Sequence, residues 1–285
     1  MSSEEARRSE LNETIYYQER EAEIYDLEYQ WKTDDIEYWI ALANEYAGGE
    51  GTALELACGT GRVLLPIAES GVRVVGIDQS PWMLQKAKEK LESKLESVQE
   101  RVGLLEADMR TVQLEQKFEF IYLPFNTFLI LRTVADQLAV FETVRRHLAP
   151  GGAFAFEMFV PDVNRLASRE RPLKWGNEVD QTLGDLGIRL QRDSLTRYDP
   201  IRQQIFITFR MREYREHVLQ REFVNDLQLT YVFPRELEHL VARAGFEFVH
   251  FWGNYDRVAE FWSVQEPQRQ LPVVRPKNNP PAGRR

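Results

Sequence analysis

Between Thr52 and Met158 short apolar runs alternate with segments whose apolar residues recur every three or four positions. Residues 53–57, 72–77, 102–106, 118–123 and 153–158 read as strands. Val63–Glu69, a segment opening at Pro81 with Met83, Leu84, Ala87 and Leu91 on one face, and Val134–Leu148 read as helices. The strand runs are apolar on both faces, the pattern of a parallel sheet covered by helices on both sides. Upstream, Tyr38, Trp39, Leu42 and Ala43 share one face of a helix that starts near Asp34–Asp35 and stops at Gly48–Gly49.

Beyond about Lys174 this rhythm breaks. Leu190–Tyr198, Gln204–Glu213 and Gln220–Phe233 alternate with period two, and Asp199–Arg202 forms a turn, so an antiparallel insert of three or four strands is expected. A helix then opens at Pro234 and ends at Gly245, followed by strands over Phe246–Trp252 and Ala259–Val264. The organisation expected is a helical N-terminal cap (1–50), a core (51–165), the insert (166–233), completion of the core sheet (234–266) and a proline-rich, basic, disordered tail (267–285).

The candidate chemistry sits in Glu55-Leu56-Ala57-Cys58-Gly59-Thr60-Gly61-Arg62, where the first strand turns into the first helix. Open α/β sheets bind ligands at the carboxyl ends of strands. A dinucleotide fingerprint requires a third glycine at position 64, which is Leu64. Asp78 ends the second strand about 20 residues later, the place of an acid that binds both ribose hydroxyls. The alternative role for Asp78, capping the helix at Pro81, is open to Ser80 instead. A ribose acid without the third glycine points to a nucleoside-like cofactor rather than a dinucleotide.

The runs Leu54–Arg62 and Gly76–Leu84, together with Glu106-Ala107-Asp108-Met109-Arg110 and Leu148-Ala149-Pro150-Gly151-Gly152, resemble class I S-adenosylmethionine-dependent methyltransferases, in particular small-molecule enzymes such as amino-sugar N-methyltransferases. The resemblance implies an α/β, Rossmann-like, doubly wound sheet of seven strands with the last antiparallel, plus the antiparallel β insert. It implies S-adenosylmethionine as cofactor and S-adenosylhomocysteine as product. Gly59 and Gly61 pass under the methionine part and ribose, Glu55 orients that loop, Asp78 takes the ribose hydroxyls, and Asp108 with the Met109 amide meets the adenine edge. Tyr25 folds over the cofactor carboxylate, and Ala57, Gln79, Met83 and Leu123 complete the cofactor set.

On the acceptor side, Leu123-Pro124-Phe125-Asn126 follows the fourth strand without the Asn/Asp-Pro-Pro-Tyr/Phe run of amide and nucleobase methyltransferases resembling this fold. Phe125, Asn126, Phe159, Arg210, Tyr231, Trp252 and Tyr255 are candidates for an acceptor pocket, with core packing the competing role for the aromatic ones. No His–Asp pair declares itself as a general base; Asn126, Asp256 and His217 are the candidate catalytic residues.

Charge and composition narrow the partners. The 285 residues carry a net charge of −9, against a general nucleic-acid binder. The single cysteine, Cys58, excludes an intrachain disulfide, and the 4 histidines lack metal-ligand spacing, so no metal is expected. Neither a signal peptide nor an apolar run of about 18–20 residues is present, and a cytoplasmic enzyme away from membranes is the expectation. The partner expected is a small-molecule acceptor, with the insert as a lid or a surface for a homo-oligomer. Alternatives left open are a non-catalytic binder of the same cofactor, an RNA or protein methyltransferase, and a nicotinamide-dependent oxidoreductase, the last disfavoured by Leu64.

Overall fold

The computed structural model describes residues 18–167, 175–183 and 187–277. They divide into two compact units, one drawn from Met1–Trp31 and Asp162–Tyr231, the other from Lys32–Pro161 and Val232–Arg285. The expected N-terminal cap is thus split: α1 (residues 18–29) goes with the insert and α2 (Ile36–Ala47) with the core.

The core unit is built on one sheet. Its parallel strands are β1 (Thr52–Leu56), β2 (Arg73–Asp78), β3 (Val102–Glu106), β4 (Phe118–Leu123) and β5 (Leu148–Phe156). The short β6 (Met158–Phe159) follows, and the insert strands carry the next numbers. The sheet closes with β11 (Phe246–Trp252) and β12 (Arg269–Pro276), in the order β11-β12-β5-β4-β1-β2-β3. Strand β12 runs antiparallel to both neighbours. The chain winds outward from β1 to β3 and returns on the other side of β1 as β4, so the switch in strand order lies between β1 and β4. The crevice outside their carboxyl ends is the place this topology makes for a ligand.

Helices α3 (Leu64–Glu69), α4 (Pro81–Glu92), α5 (Glu96–Gln99) and α6 (Val134–His147) connect the strands, and α8 (Pro234–Arg243) leads into β11. Helix α2 buries Tyr38, Trp39, Leu42, Ala43 and Ala47 at three- and four-residue spacing. Its Trp39 ring lies 5.7 Å from Tyr122 of β4, and its Tyr46 ring stacks 5.8 Å from Phe120. Burying a large apolar side chain contributes about 1.5–3 kcal/mol, so α2 is held mainly by this stripe. Ser80 caps α4 by accepting the Met83 N–H at 3.3 Å, with Pro81 at the first helical position.

Two sequence expectations need correction. Residues 267–285 are not a disordered tail from their start: 269–276 form β12, with Leu271, Val273 and Val274 fully buried. The apolar run Leu271-Pro272-Val273-Val274 is obscured in the sequence by its proline. Pro272 is tolerated because β12 pairs with β6 through Arg269 and Gln270 and with β5 through Val273 and Val274, leaving a break between. Conversely, Ala259–Val264 is not the closing strand. Phe261–Ser263 makes a single 3-10 turn that stacks Phe261 on Phe251 at 4.4 Å, and only Glu260 bridges to Trp252.

The other unit is a four-stranded antiparallel meander, β7 (Gly176–Leu183), β8 (Ile188–Asp199), β9 (Gln204–Arg215) and β10 (Val218–Thr230), with the short α7 (Val163–Ala167) before it. Ile24 of α1 packs on Leu190, Met211 and Phe223 from one sheet face. On the same face the buried Arg192 pairs with Glu28 and Glu178, and burial pushes the Glu28 carboxyl up to about 7 against the pull of Arg192.

If β12 is integral to the core, Leu271→Ala costs about 2–5 kcal/mol in urea denaturation followed by tryptophan fluorescence. A loss below about 0.5 kcal/mol, the range of ordinary surface changes, would remove β12 from the core.

Candidate active site

Two loops meet the crevice at the switch point. The first leaves β1 as Ala57–Arg62, and Ala57, Gly59 and Gly61 all take left-handed backbone angles (φ 53°, 55° and 77°). The turn closes by Cys58 N–H donating to Ile77 O at 2.9 Å and Gly61 N–H donating to Cys58 O at 2.9 Å. Gly76 of β2 makes room for it: a Cβ there would lie 2.8 Å from Cys58 Sγ and 2.4 Å from a Leu64 methyl.

Asp78 fastens this loop to the end of β2. Its Oδ2 accepts Gly59 N–H at 2.8 Å and its Oδ1 accepts Ser80 N–H at 2.8 Å. Burial raises its carboxyl above the ordinary range, while the backbone N–H groups of Ser80, Gly59 and Gln79 pull it back down. A carboxylate offers about four lone-pair sites, so beside these three N–H groups acceptor capacity for one further donor remains. A hydroxyl is a donor of that kind.

Glu55 lies beneath the loop, 2% exposed, accepting the Tyr122 hydroxyl at 2.7 Å. Burial pushes its carboxyl up to about 8, offset in part by Tyr122 and by Arg62. Arg62 forks onto Asp35 with two bonds of 2.8 Å and also donates to Lys32 O at 2.8 Å.

Asp108 follows β3 and is held ionised: Arg110 donates to it through Nη2 (2.7 Å), Nε and its backbone N–H, and Gln79 adds a side-chain bond, which keeps its carboxyl below the usual range. Arg110 is itself anchored to Asp136 at 2.9 Å. The Asp108 carboxylate is thus already engaged by a resident guanidinium. Met109 and Leu123 are buried beside these loops and Met83 is half-buried.

The second loop leaves β4 as Pro124–Asn126. Phe125 and Asn126 are both left-handed (φ 58° and 61°) and neither is glycine; the conformation costs about 1–2 kcal/mol at Phe125, whereas asparagine adopts it more readily. Asn126 Oδ1 is buried without a hydrogen-bond partner among the described residues. The guanidinium of Arg62 sits over the Phe125 ring at 4.8 Å.

The remaining candidates are dispersed. Tyr25, Arg210, Tyr231 and His217 belong to the other unit. There Arg210 donates to Asp193 at 2.9 Å and lies over Trp175, Tyr231 is buried with its N–H on Gln203 O, and His217 occupies the exposed β9–β10 turn with a left-handed backbone. Asp256 is exposed and closes a turn by accepting Val258 N–H. Trp252 is packed in the core against Tyr38 and His250, while Phe159 lies half-buried in β6.

Sequence reasoning missed Glu157 and the Lys32–Asp35–Arg62 cluster. Glu157 follows β5 and is wholly buried, and Tyr255 donates to it at 2.6 Å. The available signal was a lone acid in Ala153-Phe154-Ala155-Phe156-Glu157-Met158-Phe159, since a charge inside an apolar run survives only with partners. Among the described residues no group of three or more His, Cys, Asp or Glu side chains is arranged to hold a metal, and no helix is long and apolar enough to cross a membrane.

Residues 53–152 match a family model described as a methyltransferase domain. The chain is 30% identical over 146 residues to the cypemycin N-terminal methyltransferase of a Streptomyces species, covering 50% of this chain and 56% of that protein. It is 29% identical over 140 residues to a dTDP-3-amino-3,6-dideoxy-alpha-D-glucopyranose N,N-dimethyltransferase of Streptomyces fradiae, covering 48% and 52%. These matches span about half the length of each relative. The CcbJ methyltransferase from Streptomyces caelestis superposes with a TM-score of 0.70 at 26% identity, over 90% of this chain and 96% of that one.

The buried Glu55 carboxyl gives a pH signature. Its value of about 8 lies above that of an unfolded glutamate, so the folded state holds a proton the unfolded state lacks between about pH 4.5 and 8. This contribution to stability is complete below the unfolded value and is lost as pH rises to 8. Glu55→Gln, which keeps an acceptor for Tyr122, is expected to match the wild type at pH 4.5 and to exceed it by about 1.4 kcal/mol per pH unit of that window. Denaturant midpoints for both proteins from pH 4.5 to 9 measure this, and parallel curves would contradict it.

Proposed function

We infer that this chain, which matches a methyltransferase domain model over residues 53–152, transfers a methyl group from S-adenosylmethionine to the amine nitrogen of a small molecule. The observation that carries the cofactor is the Asp78 carboxylate, fixed by Gly59 and Ser80 at the carboxyl end of β2 with acceptor capacity left for a ribose hydroxyl. Bound S-adenosylmethionine supplies an electrophilic methyl on a sulfonium, ready for in-line displacement.

The protein's part is to bind, orient and exclude. Gly59 and Gly61 let the backbone approach the nucleoside without a side chain intervening. Asp78 takes the ribose hydroxyls, and Asp108 meets the adenine edge. Rate comes from holding nucleophile and methyl carbon aligned near contact. A neutral amine brings its own lone pair and needs no general base. Nitrogen as the acceptor atom is supported by two relatives, whose names state an N-terminal and an amino-sugar N-methylation, and by the buried amide oxygen of Asn126, suited to receive an N–H.

Calorimetric titration with S-adenosylmethionine and S-adenosylhomocysteine is expected to show binding that Asp78→Ala weakens by about 1–3 kcal/mol, the cost of leaving buried partners unpaired. Absence of binding by the folded wild type would overturn the cofactor. Incubation with a dTDP-amino-sugar and with a peptide bearing a free α-amine, read by mass spectrometry, is expected to add 14 Da (about one CH₂) to one of them in a cofactor-dependent manner. Methylation of matched hydroxyl analogues alone would overturn nitrogen as the acceptor.

A further inference from the structure

The sheet contains a buried acid that cofactor binding does not employ. Strand pairing along β12 is interrupted between β5 and β6, and Glu157 stands at that interruption, 0% exposed. Three donors converge on it. Phe125 N–H lies 3.0 Å from Oε2, the Tyr255 hydroxyl 2.6 Å from Oε1, and the Arg269 guanidinium 3.4 Å from Oε1. Lys32, 1% exposed, donates in turn to the Tyr255 hydroxyl at 3.0 Å. Burying a carboxylate is costly unless it is paired and hydrogen-bonded, and apolar residues of similar volume fill such a place at less cost. A simple packing role therefore explains Glu157 poorly.

What Glu157 touches is the strained loop. Its bond to Phe125 N–H opens the pair Phe125–Asn126, whose consecutive left-handed angles glycine would adopt freely. The Phe125 ring is pinned under Arg62, and Asp35 fixes Arg62 through two bonds. The next residue, Asn126, ends with Oδ1 buried and lacking a partner among the described residues. Strain of this kind persists where the surroundings over-determine it, and it concentrates at functional sites. A buried acceptor left open at the carboxyl end of a switch-point strand is aimed at a ligand.

We propose that Glu157 is a positioning residue: by holding Phe125 N–H it fixes the turn that keeps Asn126 Oδ1 open to accept an N–H from the amine that receives the methyl group. The proposal rests on the methyltransferase reading above. Asn126 is the contact and Glu157 acts through it, so the two residues form one unit, and removal of either removes the same interaction.

Sinefungin tests this without knowledge of the natural acceptor, because it carries an amine where S-adenosylmethionine carries the methyl on sulfur. The ratio of sinefungin to S-adenosylhomocysteine affinity, measured by calorimetry, isolates the contact to that amine. The wild type is expected to favour sinefungin. Asn126→Ala and Glu157→Leu are each expected to lower the ratio roughly tenfold, about one charged hydrogen bond, with S-adenosylhomocysteine affinity changed by less than about twofold. The double variant is expected to lose no more than either single one, as for residues acting as a unit. In the wild type, hydrogen exchange at the Phe125 amide is expected to be slow, and fast exchange there overturns the proposal even if Glu157→Leu does not fold. Unmoved ratios, or losses that multiply in the double variant, overturn it while leaving the cofactor reading intact. Failure of the wild type to bind S-adenosylhomocysteine removes the cofactor reading itself, and the proposal with it.

Discussion

The site depends on one device used twice. Each loop at the switch point leaves its strand in a left-handed turn, and a carboxylate at the end of the neighbouring strand captures a backbone N–H of that turn. After β1 the pair is Gly59 N–H and Asp78 of β2; after β4 it is Phe125 N–H and Glu157 beyond β5. A charged acceptor strengthens such a bond to about 1.5–3 kcal/mol, enough to offset the cost of a left-handed residue. The parallel register makes this possible, because it brings the carboxyl ends of adjacent strands level. Leu56 lies opposite Ile77, and Leu123 opposite Phe156.

Concentrating acids at the carboxyl ends of the strands carries an electrostatic cost, and the core offsets it with the buried Lys32 and two half-buried arginines. Glu55, Asp78 and Glu157 all have carboxyls raised chiefly by burial. Arg62, Lys32 and Arg269 lie among them, each held by partners of its own: Arg62 by Asp35, Lys32 by Asp34 at 2.5 Å and Tyr255, and Arg269 by Glu157. The arrangement is a lattice of alternating charge rather than a set of isolated pairs, and removing one member strands another in low dielectric. This also accounts for Tyr255, whose hydroxyl bridges Lys32 and Glu157 and is held protonated by burial and by the Glu157 charge.

The alternation of runs from Thr52 to Met158 was legible because buried parallel strands are apolar on both faces, and the glycine loop with Asp78 was legible because a tight turn and the acid that fastens it leave a fixed spacing. The closing strand was not, since Pro272 breaks the pattern a ladder strand should show and is admitted only by the gap opposite Glu157. The apolar letters of Phe261-Trp262 imitated a strand because one buried aromatic in a single turn has no period to read. Contacts distant in sequence, such as Lys32 with Tyr255 or Phe125 with Glu157, have no local signature at all. For Trp252 both an acceptor pocket and core packing stood open, because an aromatic at a strand end looks the same whether it lines a cavity or fills a core, and it packs in the core.

The two captured turns differ in the residue they hold, and the difference follows from what each has to meet. In the turn after β1, Gly59 and Gly61 take two of the three left-handed positions and the small Ala57 the third, which keeps side chains away from the backbone there. At the end of β4 the chain places Phe125 in a left-handed conformation that glycine would take at lower cost, followed by Asn126, a residue type that adopts it more readily. Relaxing the turn in that way would remove the Phe125 ring that Arg62 covers and the amide that ends in an open oxygen. The conformation is kept with both side chains in place, Phe125 against Arg62 and Asn126 with its amide oxygen buried.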